Sequence, residues 1–201
     1  MVVVFHPCQN YRLGDLVTGY FERAHIKNRK NPSSSCFCEN WPSSIGCEFV
    51  NSTLKHKLIQ IVKKRNKNAT FLKNDSLIVH LRLGDVLDLP FYTDKRKIGQ
   101  TYIKQLSYYK ALRIPKSVKT IYIVSNLTYR AYYGSNNSMR YFTKVTEILR
   151  SRKYNVTFFS GKHADNDFLF MTRAYFFVKS GGKFSKLAAD IVKNVYHKYV
   201  L

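Results

Sequence analysis

Short runs of apolar residues alternate with amphipathic segments from Ser76 onward, and this alternation limits the fold more than any other feature of the sequence. The apolar runs are typical of buried strands, because strands covered on both faces lack the polar alternation of half-exposed ones. They lie at 76–81, 120–124, 155–159 and 175–178, and the helix-like segments lie at 102–112, 139–152, 167–173 and 184–199. The alternation predicts an α/β fold with a Rossmann-like, doubly wound and mostly parallel sheet.

The first part of the chain has a less regular pattern. It reads as a strand at 2–5, a helix at 14–24, an irregular stretch at 28–52 and an amphipathic helix that begins at Thr53. We therefore predict a reduced N-terminal portion at 1–75, which contains a cysteine-bearing loop, and a Rossmann-like portion at 76–201. The two portions form either separate units or one compact domain.

The composition of the chain favours some broad classes of protein over others. With 45% hydrophobic and 15% aromatic residues in 201, the chain is predicted to fold rather than to be disordered. Its net charge of +22 suits an anionic partner such as nucleic acid, an anionic membrane surface or a phosphate-bearing substrate. No apolar run approaches the roughly 20 residues that span a bilayer, and no secretory signal opens the sequence. We expect a soluble, cytoplasmic protein, or a protein of the Golgi or ER lumen if the chain is a fragment.

Four cysteines lie in the first quarter of the chain: Cys8, Cys36, Cys38 and Cys47. A Cys-x-Cys pair followed by one distant cysteine fits no familiar zinc-finger spacing, so we predict no metal site. The cysteines are then free thiols or loop disulfides.

Polar loops follow each predicted strand, where an open parallel sheet binds its ligands. The last loop, 179–183, contains two glycines directly before a helix, an arrangement that can hold an anion on free N–H groups. It is also typical of a glycine turn with a serine cap. Arg82 follows the strand at 76–81 and could grip a pyrophosphate with its guanidinium fork, or pair with Asp85 on the surface. His80 is more typical of a core histidine that shapes a site than of a catalytic base.

The peptide His80-Leu81-Arg82-Leu83-Gly84-Asp85 resembles the His-x-Arg-x-Gly peptide of the fucosyltransferase superfamily, which includes protein O-fucosyltransferases and the α-1,6 and α-1,2 enzymes. The order of the later segments and the opening loop, 10–16, resemble that family as well. The resemblance implies a GT-B-like fold with a donor-binding lobe and a reduced acceptor-side lobe. It implies a glycosyltransferase that needs neither a metal nor a cofactor. The donor would be a GDP-sugar, with GDP-fucose favoured, and the acceptor would be a hydroxyl of a glycan or a protein.

Individual roles follow from the same resemblance. Arg82 would stabilise the departing diphosphate, and Asp167 would bind the edge of the guanine base. The remaining donor-binding residues would be Asn10, Gly14, His80, Ser180, Gly181, Gly182 and Lys183. The resemblance identifies no base for the acceptor hydroxyl. Asp85, Asp88 and Asp94 follow the motif, and we take Asp85 and Asp88 as the candidate catalytic carboxylates beside Arg82.

The sequence also departs from the family pattern. Leu83 stands where many members have a second arginine, and Gly181-Gly182-Lys183 replaces the common Ser-Ser-Phe. Two other functions therefore stay open. One is a basic module that binds nucleic acid or another polyanion, and the other is a catalytically degenerate protein that still binds a sugar nucleotide.

Overall fold

The computed structural model describes residues 53–88, 102–125, 127, 136–160 and 164–201. The predicted strand at 2–5, the helix at 14–24 and the four cysteines lie outside these ranges. Asn10 and Gly14, two predicted donor-binding residues, lie outside them too.

Five parallel strands form one sheet in the described part of the chain. They are β1 (Ser76–His80), β2 (Thr120–Val124), β3 (Asn155–Phe159), β4 (Phe176–Val178) and β5 (Tyr199–Val200). Their order across the sheet is β3-β2-β1-β4-β5, and each neighbouring pair is parallel. The predicted α/β class with a doubly wound parallel sheet is therefore confirmed, and β2 and β3 begin and end where the apolar runs do.

Helices cover both faces of this sheet. They are α1 (Thr53–Asn66), α2 (Asp85–Asp88), α3 (Leu106–Ala111), α4 (Asn137–Ser151), α5 (Ala164–Thr172) and α6 (Lys183–Asn194). Helices α1, α5 and α6 pack on the face that carries Ile78 and Phe177. Helices α3 and α4 pack on the face that carries Leu77 and Val79. Because successive side chains of β1 point to opposite faces, this central strand contributes to both cores and none of its residues is exposed.

The chain changes direction at β1. It runs from β1 outward to β2 and β3 on one side, and then returns to place β4 and β5 on the other side. The loops that follow β1 and β4 therefore lead to opposite faces of the sheet. Open α/β sheets bind ligands in the crevice at such a switch point. The topology places the candidate site at the carboxyl ends of β1 and β4.

Two predicted helices differ most from the structure. Helix α3 begins at Leu106 and not at Tyr102, since Gln105 has an extended backbone and the Gly181 N–H donates to the Tyr102 carbonyl at 3.0 Å. Helix α6 ends at Asn194, and Tyr199 lies in β5 rather than in a helix. His197, with φ +53°, turns the chain back, so the Tyr199 N–H reaches the Tyr175 carbonyl at 3.0 Å.

Helix α1 packs with the second half of the chain. Val62 is fully buried in the same core as Phe177, and the Asn66 side chain donates to Thr172 Oγ1 at 3.1 Å. The Arg173 Nε donates in turn to Asn66 Oδ1 at 2.8 Å. These contacts join α1 to the end of α5. The division of the chain into two portions at residue 75 stays a prediction. None of the helices in the described ranges has both the length and the apolar character to span a bilayer.

Candidate functional site

A side-chain hydrogen bond joins the ends of β1 and β4. The Ser180 hydroxyl lies 2.8 Å from His80 Nδ1, although the two residues are separated by 100 positions in the chain. Both side chains are buried, with 6% exposed in each. The bond therefore fixes the loop after β4 against the last residue of β1, at the switch point of the sheet.

The His80 ring is neutral over the physiological pH range. Burial, and then the positive charge of Arg82, lower the pKa of His80 to about 3. Such a weakly basic imidazole does not serve as a general base near pH 7, where an effective base has a pKa close to the working pH. His80 is thus a positioning residue that holds Ser180, in agreement with its interpretation as a core histidine.

Arg82 lies two residues beyond His80, in a loop that is held by α4. Arg82 is half-buried, and its Nη1 donates to the Leu83 carbonyl at 3.2 Å. The loop turns at Gly84, which has φ +75°, and the Gly84 N–H donates to Ser138 Oγ at 2.8 Å. The contacts set the course of the backbone next to the Arg82 side chain.

The two candidate catalytic acids occupy the short helix α2, which follows this loop. Asp85 is its first residue and Asp88 its last. Asp88 is buried, with 4% of its surface exposed, and its Oδ1 accepts the Ser138 N–H at 3.0 Å. Ser138 lies in the first turn of α4, so this bond satisfies one of the N–H groups that the start of a helix leaves without an intrahelical partner. The contact gives Asp88 a structural role, and the catalytic roles of both acids stay predictions.

The loop after β4 uses two of its backbone N–H groups inside the protein. The Ser180 N–H donates to Ser185 Oγ at 3.0 Å, and the Gly181 N–H donates to the Tyr102 carbonyl at 3.0 Å. The backbone N–H groups of Ser180 and Gly181, two residues predicted to bind the donor, are therefore already bonded within the protein and not available to a phosphate. No side chain caps α6 at Gly182, so the N–H groups of the first turn of α6, which starts at Lys183, are the ones that can bind an anion.

Tyr102 is a site residue that the sequence did not indicate. A Cβ placed on Gly182 would lie 3.2 Å from two atoms of the Tyr102 ring, so the ring packs directly on the start of α6. Helical spacing suggested that Tyr102 belonged to a core-facing helix, and no local pattern predicts a contact between residues so far apart. The one sign of this contact in the sequence is Gly182, because a ring can approach the backbone so closely only at a residue without a side chain.

Gly182→Ala is expected to lower the free energy of unfolding by about 1–3 kcal/mol. The backbone of Gly182 has φ +90° and ψ 159°, a conformation that residues other than glycine rarely adopt. The added methyl group would also press on Tyr102. Urea unfolding measures the change, and Gly181→Ala is the matched control, because in the described ranges only Gly84 and Gly182 are glycines with positive φ. Equal losses in the two variants would contradict the prediction.

Asp167 lies on α5, beside the aromatic contact that joins this helix to α6. It is half-buried, and the ring of the next residue, Phe168, lies 5.3 Å from the ring of Phe184. Phe184 in turn lies 5.8 Å from the His80 ring. The structure thus brings the segments of His80, Arg82, Asp167 and 180–184 to the same edge of the sheet. Among the residues described, no three His, Cys, Asp or Glu side chains are grouped so that they could hold a metal ion.

Comparison with known proteins gives a distant likeness in structure and none in sequence. No family model matches the chain, and no curated protein matches it. Among solved structures, POFUT1 in complex with GDP-fucose is similar at 11% identity and a TM-score of 0.42, covering 79% of this chain and 48% of that one. POFUT1 in complex with GDP is similar at 12% identity and a TM-score of 0.36, with the same coverage. POFUT1 is an O-fucosyltransferase, and the chain spans about half its length in these structures.

Proposed function

We propose that the crevice between β1 and β4 binds a GDP-sugar, with GDP-fucose the favoured donor, and that the protein transfers the sugar to a glycan or protein hydroxyl. The observation that carries this proposal is the hydrogen bond between His80 and Ser180. It ties the Arg82 loop and the glycine-bearing start of α6 to the same edge, at the switch point where sheets of this kind bind nucleotides.

The chemistry follows from the charges at this edge. As the bond between the sugar and the diphosphate breaks, negative charge accumulates on the departing oxygen, and a fixed guanidinium stabilises it. Arg82 supplies that charge, and the N–H groups at the start of α6 act on the other phosphate oxygens. With Lys183 as a second cation, transfer proceeds without a divalent metal. Asp85 or Asp88 accepts the proton of the acceptor hydroxyl.

Nucleotide binding tests the proposal directly. We expect GDP to stabilise the protein against heat in the presence of EDTA, by about 2.7 kcal/mol at a hundredfold excess over Kd, and ADP and UDP to have much smaller effects. Asp167→Asn should abolish the preference for guanine, because a carboxylate accepts both N–H groups of that base edge and an amide does not. Glu147→Gln, an exposed acid on α4, is the matched control. Equal responses of the wild-type protein to the three nucleotides would contradict the proposal.

A further inference from the structure

Asparagine is followed two positions later by serine or threonine more often in this chain than its composition predicts. Six of the 14 asparagines begin such an Asn-x-Ser/Thr sequon without proline at x, whereas 27 serines and threonines among 201 residues would give about two by chance. The six are Asn51 and Asn126, which lie outside the described residues, and Asn68, Asn74, Asn136 and Asn155. Sequons accept N-linked glycans in proteins of the secretory pathway, so the excess indicates that some of them are modification signals.

The fold explains the sequons at Asn74 and Asn136 without any modification. Their hydroxyl residues, Ser76 and Ser138, are both buried. The hydroxyl of the first donates to a backbone carbonyl at 2.8 Å, and the hydroxyl of the second accepts the Gly84 N–H at 2.8 Å. Each serine therefore satisfies a buried polar group of the fold, and its position after an asparagine needs no other reason.

The sequons at Asn68 and Asn155 have no such structural reason. The four side chains that define them, those of Asn68, Thr70, Asn155 and Thr157, are all exposed. Within the described ranges, none of these four side chains makes a hydrogen bond. Asn66, which begins no sequon, is by contrast buried and bonded through both its Nδ2 and its Oδ1. The amides and hydroxyls of these two sequons are thus accessible to a modifying enzyme.

Both asparagines lie at the amino edge of the sheet, away from the candidate site. Asn155 is the first residue of β3. Asn68 follows the end of α1, where Asn66 is bonded to Arg173, shortly before β4. The donor site proposed above lies at the opposite edge, beyond the carboxyl ends of β1 and β4. A glycan on either asparagine therefore leaves that site open.

β3 is also a strand with a free edge. In the described sheet it has a neighbour on one side only, and Phe158 in this strand is 43% exposed. The strand reads Asn-Val-Thr-Phe-Phe, without the charged residues or the proline that commonly keep an edge strand from pairing with another molecule. A bulky, hydrated glycan at Asn155 provides the missing protection.

We propose that Asn68 and Asn155 are N-glycosylated, and that the glycan on Asn155 shields the free edge of β3. In this modification the amide Nδ2 forms a bond to the anomeric carbon of an oligosaccharide carried on a lipid diphosphate. The bond between that carbon and the diphosphate breaks, the diphosphate leaves with the bonding pair, and the amide gives up one proton. Because this transfer takes place in the ER lumen, the proposal favours a luminal over a cytoplasmic location. It does not depend on the proposed sugar transfer.

Mass spectrometry of the protein purified from the cells that make it tests both sites. An amidase that removes N-glycans in heavy-oxygen water converts each modified asparagine into a labelled aspartate. Asn68 and Asn155 should carry the label, and Asn194, an exposed asparagine outside any sequon, should not. If neither site is labelled, the proposal is wrong. It is wrong in its choice of sites if Asn74 or Asn136 is labelled equally.

Variants of the full chain, secreted from cells behind a cleavable leader, test the recognition of one site. Asn155→Gln and Thr157→Ala should each remove one glycan, seen as one step in gel mobility that amidase treatment abolishes. Thr157→Ser should retain the glycan, because serine keeps the hydroxyl of the sequon. Asn194→Gln is the matched control and should carry the same glycans as the wild type. A Thr157→Ala protein that keeps all its glycans would contradict the assignment.

Light scattering of the secreted proteins tests the shielding of β3. Asn155→Gln should aggregate at a lower protein concentration than the wild type, and Asn68→Gln should not, because Asn68 does not lie in an edge strand. Thr157→Ala should behave like Asn155→Gln, since it loses the same glycan and keeps the asparagine. Equal aggregation of Asn68→Gln and Asn155→Gln would overturn the shielding role.

Discussion

Arg82→Ala is expected to lower the rate of sugar transfer by about 10²- to 10³-fold, as for the loss of other preorganised groups that stabilise developing charge. Arg82 lies two residues beyond the end of β1 and is half-buried, so its charge is screened less than that of a fully exposed arginine. The loss should appear in kcat more than in KM, because the charge on the departing diphosphate is larger in the transition state than in the bound donor. Steady-state kinetics with GDP-fucose as donor measures both constants.

Arg82→Lys and Arg140→Ala are the matched variants for this experiment. Lysine keeps the charge but lacks the planar fork, so Arg82→Lys should recover only part of the rate. Arg140 is exposed on α4, and its removal should leave the rate unchanged. A protein that only binds polyanions would behave differently. Arg82→Ala would then change the slope of log affinity against log salt concentration by about one and would change little else. That outcome, without transfer activity in the wild type, would contradict the proposed function.

Acid is expected to destabilise the fold through His80. In the folded protein the pKa of His80 is lowered to about 3, from an ordinary value of 6.5 in the unfolded chain. Between these values the unfolded chain binds a proton that the folded protein does not, so stability is fully present above about pH 6.5 and falls as the pH decreases towards 3. The slope from this one group is about 1.4 kcal/mol for each pH unit, or roughly 3 kcal/mol between pH 6 and pH 4.

The His80→Asn variant isolates this effect from other titrating groups. Its amide can still bond the Ser180 hydroxyl from the position of Nδ1, and it does not titrate. Urea unfolding at pH 7, 5.5 and 4 should show that the wild-type protein loses stability more steeply than the variant over the lower part of this range. Parallel pH profiles in the two proteins would show that His80 is not the group responsible.

Four of the five described strands, β1 to β4, could be predicted from the sequence because each is a short apolar run between polar or turn-forming residues. β2, between Lys119 and Ser125, and β3, after Tyr154, match their runs to the residue. Helix α3 was predicted to begin four residues too early, because the spacing of Tyr102 and Ile103 suits a helix, whereas the extended backbone of Gln105 separates them from α3. β5 was missed because it has only two residues and pairs with β4 through a turn at His197.

Candidate site residues could be predicted from the sequence only where the neighbouring residues in the chain are themselves distinctive. His80 and Arg82 stand out because they lie at and just beyond the end of a buried strand, and Gly182 stands out as a glycine before a helix. The contact between Tyr102 and Gly182 and the bond between His80 and Ser180 join residues far apart in the chain, so they depend on the packing of the whole sheet. The use of the Gly181 N–H inside the protein has the same cause, since its acceptor is the distant Tyr102 carbonyl, whereas the Ser180 N–H donates to Ser185, only five positions away.

Ser138 has a consequence for the affinity of whatever ligand enters the crevice. Through its hydroxyl and its amide it bonds both Gly84 and Asp88, so one residue of α4 anchors the loop that presents the guanidinium. The loop loses its conformational entropy when the protein folds, and little remains to be lost on association. For the donor proposed above, complex formation would therefore not be slowed by a search for the productive loop geometry.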